Sequence, residues 1–338
     1  MNEFLKGILD GINGLFNNYG WSIMAFTLLI RLCLTPFDYK SRVSMRKMNA
    51  LQPEVAKLQK KYGKDQEKLN LKMSELYKRN HVSPMSSCLP LLLSMPILFA
   101  MFGAMRAIAN EQMVAQTFDI LLGNAPVMEP WLWIKNLWMP DSPFAPTWPD
   151  LSSLQMVSAD VWASSFANLA PEARDTIATL LNVDPLVCFS GDHLKETINA
   201  IHTTMSSMPA YAEQVAKLPG WSFNLLIAQL DVNVHFNGLF ILPLVAASSQ
   251  MLMTKLQPTA PAANGTNQKP AGGGFMKWFF PLFSLYICAG QNAGFSLYWV
   301  TANLLSMVQT VVINRYLDHK EKLAGPATVD STGADSLK

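Results

Sequence analysis

Five runs of apolar residues, each close to the length of a membrane-spanning helix, divide the chain. About 20 apolar residues in an α-helix cross the roughly 30 Å hydrocarbon core of a bilayer. Five such helices in a soluble protein would leave too little polar surface to cover them, so the pattern favours membrane spans over buried soluble helices. The predicted spans are residues 19–37, 87–109, 236–256, 275–290 and 294–314.

The N-terminal residues 2–18 carry apolar side chains at helical spacing with polar side chains between them. The apolar positions are Phe4, Leu5, Ile8, Leu9, Ile12, Leu15 and Phe16. No basic stretch and small-residue cleavage site frame this segment as they would frame a signal peptide. The pattern predicts an uncleaved amphipathic helix that lies in the membrane interface.

Residues 38–86 contain two apolar stripes at helical spacing, separated by the turn signal Gly63-Lys64-Asp65 and followed by Pro84. The stripes are Leu51, Val55, Leu58 and Tyr62, then Leu69, Met73, Leu76 and Tyr77. They predict a hairpin of two antiparallel helices. The remaining lysines form a solvated face, which either only sets the membrane topology or docks a ribosome or targeting factor.

Basic residues are unevenly shared between the two long loops. Residues 38–86 hold twelve Lys and Arg and five acids, whereas residues 110–235 hold four basic and thirteen acidic residues. Because Lys and Arg favour the cytoplasmic side, the hairpin is predicted to be cytoplasmic and residues 110–235 extracytoplasmic. Five spans then leave the N-terminus outside and the C-terminus in the cytoplasm.

The segments between and beyond the spans differ in composition. Trp131, Trp133 and Trp138 are typical of an aromatic belt at the membrane interface. From residue 151 to 218, short helical patterns interrupted by prolines predict a small helical cap. Residues 257–274 are a flexible linker by composition, and residues 315–338 form a cytoplasmic tail.

Overall composition agrees with a membrane protein. Half of the 338 residues are hydrophobic and 15% are charged, against roughly 25% charged residues in soluble domains. The net charge of +2 excludes a strongly basic nucleic-acid-binding protein. The four cysteines and the sparse histidines, His193 and His202 among them, match no disulfide or metal pattern, so no metal and no cofactor is predicted.

Arg31 is the most informative residue because it lies inside the first predicted span. An arginine at mid-membrane costs roughly 2.5–3.5 kcal/mol on insertion scales, so it normally faces a polar or water-filled interior. Thr27 and Thr35 lie four residues to either side and share its helix face. No Asp or Glu occurs within the predicted spans to neutralise it. Other spans carry further polar residues, including Ser94 and Asn303, and together these predict a hydrophilic groove around one positive charge.

Four motifs resemble the YidC/Oxa/Alb family of membrane protein insertases, and the similarity covers about two-thirds of the chain. They are GWSIMAFTLLIR (20–31), KMNALQPEVAKLQKKYG (47–63), CLPLLLSMPILFAMF (88–102) and GFSLYWVTANLLSMVQ (294–309). The resemblance is to a short bacterial form without the large periplasmic domain. Two features depart from it: the outer segment from 141 to 231 is longer, and AGQNAG replaces the usual Pro-Ser-Gly turn before the last span.

The resemblance implies an all-α membrane protein with five transmembrane helices around a hydrophilic groove, a cytoplasmic helical hairpin and an N-terminal interfacial helix. It matches Arg31 to the groove arginine, Thr27 to the threonine one turn before it, and Tyr298 and Trp299 to positions of the last span. It also implies a multi-pass protein of the bacterial cytoplasmic (inner) membrane. Its partners would be nascent membrane proteins and the lipid bilayer, with or without the Sec translocon.

Such an insertase is not an enzyme, because no covalent bond is made or broken. Two other classes remain open from the residues alone. A small-solute secondary transporter would also use intramembrane charge, although it would normally show repeated halves, and the sequence has no internal repeat. A membrane scaffold would need no Arg31.

Overall fold

Helices dominate the computed structural model, which describes residues 2–80, 89–225, 228–256 and 275–324. The long helices and the hairpin helices are α1 (Asn2–Phe16), α2 (Tyr19–Ala50), α3 (Gln52–Tyr62), α4 (Gln66–Arg79) and α5 (Leu89–Leu121). The outer segment holds α6 (Leu151–Leu154), α7 (Ala159–Ala167), α8 (Pro171–Leu181), α9 (Leu194–Ser206), α10 (Pro209–Gln214), β1 (Lys217–Leu225) and β2 (Ala228–Asn233). The last helices are α11 (Ile241–Leu256), α12 (Phe275–Gly290) and α13 (Ala293–Ala324).

Several helices run further than the apolar runs predicted. Helix α2 continues through Pro36 to Ala50, so the segment 38–86 begins as a continuation of the first span rather than as a loop. No glycine or turn signal lies between Pro36 and Ala50, so nothing in this stretch ends the helix. Within the described residues, Tyr19–Ala50 and Ala293–Leu323 are long and apolar enough to cross a membrane, while Ile241–Leu256 and Trp278–Gly290 are shorter apolar helices. The number of five spans stays a prediction.

The chain divides into two compact units. The cap unit comprises Met1–Thr27, Ala100–Ser248 and Leu282–Thr301. The hairpin unit comprises Leu28–Phe99, Ser249–Pro281 and Ala302–Lys338. The predicted linker 257–274 and the part of the tail after residue 324 lie outside the described residues.

The cap unit has a core of its own built from aromatic side chains. Trp162 stacks on Phe189 with ring centroids 5.4 Å apart, and Phe118 of α5 contacts both rings edge-on. Helix α1 packs into the same unit through Leu5 and Leu9, whereas Phe4 and Leu15 are exposed. The predicted amphipathic helix is therefore present, and its position in the membrane interface stays a prediction.

The predicted aromatic belt is wrong for two of its three tryptophans. Trp131 and Trp138 are buried, because the loop after α5 folds back onto the beginning of α2. The Trp138 ring meets Tyr19 edge-on at 5.0 Å. A Cβ atom on Gly20 would lie 2.0 Å from the Trp131 ring, so only glycine allows this approach.

A two-stranded antiparallel hairpin, β1 with β2, is the one departure from an all-α fold among the described residues. Polar residues occupy one face of the hairpin at every second position. On that face, Ser222 pairs with Asp231 and donates a 2.7 Å hydrogen bond to it. Phe223 pairs with Leu230 on the other face. This period of two is the strand signal that a search for helical spacing overlooked.

The hairpin of α3 and α4 closes along the two stripes that the sequence indicates. Met48, Leu51, Val55, Leu69, Met73 and Tyr77 form its buried core, flanked by Leu58, Tyr62 and Leu76. Asp65 caps α4 by accepting a 3.1 Å hydrogen bond from the Lys68 N–H. That bond lowers the pKa of the Asp65 carboxyl, so the cap is charged at neutral pH.

Two leucines of α4 test this packing. Leu69 is fully buried in the hairpin core, whereas Leu71 is 56% exposed. Leu69→Ala should lower the free energy of local unfolding of the hairpin by about 2–5 kcal/mol, because it removes buried methyl groups. Leu71→Ala should change it by less than about 0.5 kcal/mol. Hydrogen exchange of the α3 amides measures both values, and equal effects would contradict the packing.

Candidate substrate groove

Arg31 is a half-buried residue of α2. The Thr35 hydroxyl donates a 2.9 Å hydrogen bond to the Arg31 carbonyl oxygen, and the Thr27 hydroxyl donates a 2.6 Å bond to the Ile23 carbonyl oxygen. Both predicted groove threonines therefore bond to the backbone one turn earlier, which is how threonine satisfies its hydroxyl within an apolar helix.

Gln309 of α13 joins this turn of α2, a role that the sequence analysis missed. Its Nε2 donates to the Arg31 carbonyl oxygen at 2.8 Å and to the Thr35 hydroxyl at 2.7 Å. Its Oε1 atom is buried and has no hydrogen-bond partner among the described residues. A polar amide in an apolar helix was the available signal, but nothing in the sequence indicated which residue it would meet.

Arg31 does have an acidic neighbour. Asp38, one residue past the predicted end of the first span, interacts electrostatically with Arg31 and with Arg42. The absence of acids within the predicted spans therefore does not leave the arginine without a nearby carboxylate. The physical reason is that α2 runs unbroken through Pro36, so a residue seven positions after Arg31 lies on the same helix face.

Two further arginines continue this face of α2 toward α13. Arg42 donates from Nη2 to the hydroxyl of Thr310. Arg46 pairs with Asp318 at 2.6 Å and with Glu321 at 3.0 Å, and it also donates to the Asn314 carbonyl oxygen at 2.9 Å. We call the set Arg31, Thr35, Asp38, Arg42 and Arg46 with their α13 partners the polar seam.

The remaining predicted groove residues occupy different surroundings. Asn303 donates to Ser249 of α11 at 3.1 Å, within the hairpin unit. Ser94 belongs to α5, but its side chain is outside those that the structure describes. Tyr298 and Trp299 belong to the cap unit, as does Thr27. Tyr298 is buried, and the Trp299 ring lies 5.7 Å from Phe295 with its buried Nε1 lacking a partner among the described residues.

A family model described as "60Kd inner membrane protein" matches residues 11–191 and 197–321, which is most of the chain. The chain belongs to this YidC/Oxa/Alb family. The resemblance seen in the four sequence motifs is thereby confirmed, and with it a mostly helical membrane protein of a bacterial inner-membrane family.

Relatives in this family that bear the name "Membrane protein insertase YidC" share stretches of the sequence. The protein of Clostridium perfringens is 42% identical over 133 residues, which are 39% of this chain and 50% of the relative. That of Fusobacterium nucleatum is 41% identical over 107 residues, 32% of this chain and 52% of the relative. That of Anaeromyxobacter dehalogenans is 37% identical over 137 residues, 40% of this chain and 22% of the relative. The matches thus span about half of these relatives or less.

The chemistry available at the polar seam of this family member is electrostatic. Guanidinium groups, hydroxyls and amides bind carboxylates and peptide groups by charge and by hydrogen bonds. In the described part of the chain, no group of three or more His, Cys, Asp or Glu residues has a metal-binding arrangement. The seam is suited to transient binding of an acidic or polar segment.

A double-mutant cycle tests the bond between Thr35 and Gln309. Thr35→Val and Gln309→Leu should each lower the free energy of unfolding in detergent, and together they should lower it by less than the sum, because they remove one shared hydrogen bond. A coupling of about 0.5–1.5 kcal/mol is expected. The control pairs Gln309→Leu with Thr254→Val, whose hydroxyl bonds to Met251 of its own helix. Additivity in both cycles would contradict the bond.

Proposed function

We propose that the chain is a membrane protein insertase and chaperone. It passes short hydrophilic segments of nascent membrane proteins through a positively charged groove and releases their helices into lipid, alone or with the Sec translocon. The observation that carries the proposal is the half-buried Arg31 on a membrane-length apolar helix of a chain in the insertase family. The groove would be lined by Arg31, Thr27, Thr35, Ser94, Tyr298, Trp299 and Asn303.

The physical task of an insertase is to lower the cost of moving polar groups through hydrocarbon. An unpaired peptide group costs several kcal/mol there, about 4–8 for transfer from water to a solvent that cannot form hydrogen bonds. Polar side chains along the groove replace part of the lost hydration, and the positive charge attracts acidic residues of the client segment. The hydrogen bonds of Thr35, Gln309, Asn303 and Ser249 support this because they keep polar groups within otherwise apolar helices.

The energy for translocation comes from the client itself. Its apolar helix leaves the groove for lipid, which is favourable by about 25 cal/mol for each Å² of apolar surface removed from water. The membrane potential adds about 2.3 kcal/mol per charge per 100 mV for acidic residues that move outward. Since no covalent bond changes, the protein needs no catalytic residue and acts as a non-enzymatic insertase.

The proposed topology has five spans, with the N-terminus outside and the C-terminus in the cytoplasm. The hairpin of α3 and α4 is then cytoplasmic, and its exposed lysines suit an acidic partner such as a ribosome or a targeting factor. These side chains are Lys57, Lys60, Lys61, Lys64, Lys68 and Lys78. The cap unit helices α6 to α10 are then extracytoplasmic.

Labelling of single cysteines tests this topology. Ser164 in α7 and Asn70 in α4 are both exposed, so each probe is accessible to solvent on its own side. In a background without the four native cysteines, an impermeant thiol reagent should label Ser164→Cys in intact cells and leave Asn70→Cys unlabelled until the cells are broken. Labelling of Asn70→Cys alone in intact cells would reverse the topology.

Reconstitution into liposomes tests the function. The purified protein should integrate a small single-span client, measured by protease protection, without moving small solutes. A secondary transporter would move solutes and integrate nothing, and a scaffold would do neither. Either result would overturn the proposal.

Variants of Arg31 form the second arm of the same experiment. Arg31→Lys should keep most integration of a client with an acidic translocated segment, because the ammonium retains the charge. Arg31→Ala should impair that client more than a matched client with a neutral segment, and Arg31→Glu should abolish integration of the acidic client. Equal defects of the Lys and Ala variants with both clients would show that the charge of Arg31 is not used.

A further inference from the structure

The polar seam contains a second arginine, Arg42, whose hydrogen-bond donors are only partly used. Arg42 is half-buried, and its Nη2 donates a hydrogen bond to the buried hydroxyl of Thr310. Its Nε atom is buried and has no hydrogen-bond partner among the described residues. None of the ion pairs in the described part of the chain involves Arg42, although Asp38, four residues earlier, interacts with it electrostatically.

Arg46, one turn further along α2, is a natural comparison because acceptor groups surround its guanidinium. Two carboxylates and one carbonyl oxygen, from Asp318, Glu321 and Asn314, contact its guanidinium group. Arg46 therefore fastens α2 to α13. Arg42 has the same side chain on the same helix face, but no carboxylate of the described residues lies at ion-pair distance from it.

The spacing relates Arg42 to Arg31. Eleven residues of α-helix make three turns and about 20°, so both arginines lie on one face, separated by a rise of about 16 Å along the axis. An extended peptide covers that distance with about five residues, at 3.3–3.6 Å for each. One acidic client segment can therefore contact both arginines in succession.

We propose that Arg42 is a second carboxylate-binding site, at the cytoplasmic entrance of the groove, which receives an acidic side chain of the client before Arg31 does. This inference rests on the proposed function and identifies the class of ligand, a carboxylate in an extended peptide. Asp38 lies between the two cations and competes with the incoming carboxylate for both of them, which keeps each stage of binding transient.

A client carboxylate fits this site better than the phosphate of an anionic lipid does. Arg42 bonds to a buried hydroxyl of α13, so its guanidinium points into the seam between two helices of the hairpin unit. An extended peptide chain follows such a seam along its length. A lipid headgroup would instead approach from the outer side of α2, where Leu29 and Phe37 are exposed on a different face of the helix from Arg42.

The test uses the full chain in proteoliposomes and two clients that differ only in their translocated segment, with acids in one and the matching amides in the other. Arg42→Gln should slow integration of the acidic client about tenfold, the scale of one charge-assisted hydrogen bond, and slow the amide client less than twofold. Arg42→Lys should keep most of the wild-type rate with both clients. The matched control Arg46→Gln should affect both clients by the same factor.

Three outcomes would overturn the inference. If Arg42→Gln slows both clients equally, Arg42 is a packing residue. If its defect appears only in vesicles that contain anionic phosphatidylglycerol, whatever the client, the site binds lipid. If Arg42→Lys is as defective with the acidic client as Arg42→Gln, charge is not the property used. Failure of the wild-type protein to integrate either client would instead contradict the proposed function, so the two failures are distinguishable.

Discussion

A permanent positive charge inside an apolar helix is the constraint on which the hairpin unit depends. Arginine does not lose its proton in a protein, so Arg31 must be accommodated rather than neutralised. Around it, α2 and α13 supply neutral hydrogen bonds, from Thr35 and Gln309 to the same carbonyl oxygen. These bonds fix the turn of α2 that carries the charge, and Asp38 of the same helix interacts electrostatically with Arg31.

The interactions that the polar seam makes with α13 change along α2. The Arg31 carbonyl oxygen accepts hydrogen bonds from the Thr35 hydroxyl and the Gln309 amide, and Asp38 interacts electrostatically with Arg31. Arg46, in contrast, is held by two acids of α13. Those acids are more than half exposed, so the ion pairs add modest stability, about 1 kcal/mol or less each. The end of the seam at Arg46 is therefore fastened to α13 by ion pairs.

In the cap unit, a buried carboxylate binds the N-terminus of α11 and connects it to the loop before it. Asp141 is fully buried and accepts hydrogen bonds from the backbone N–H groups of Leu242 at 2.7 Å and Phe240 at 3.2 Å. A negative charge at a helix N-terminus satisfies the free N–H groups and the helix dipole. Nearby, Asn237 and Asn136 bond to each other and to the loop backbone, so the long outer segment has a fixed connection to the helix that follows it.

The sequence by itself determined the elements that repeat with helical periodicity, although the period of two in β1 and β2 was overlooked. Spacing of apolar residues predicted the long helices, the amphipathic α1 and both stripes of the α3–α4 hairpin, because each of these patterns repeats over a few turns. It also identified Arg31, since a charge in an apolar run is visible without any contact. Tertiary structure alone decided that Gln309 meets Arg31 across 278 positions of chain, that Asp38 lies near both arginines, and that Trp131 and Trp138 are buried. These outcomes depend on which surfaces of distant segments pack together, and a linear pattern does not record that.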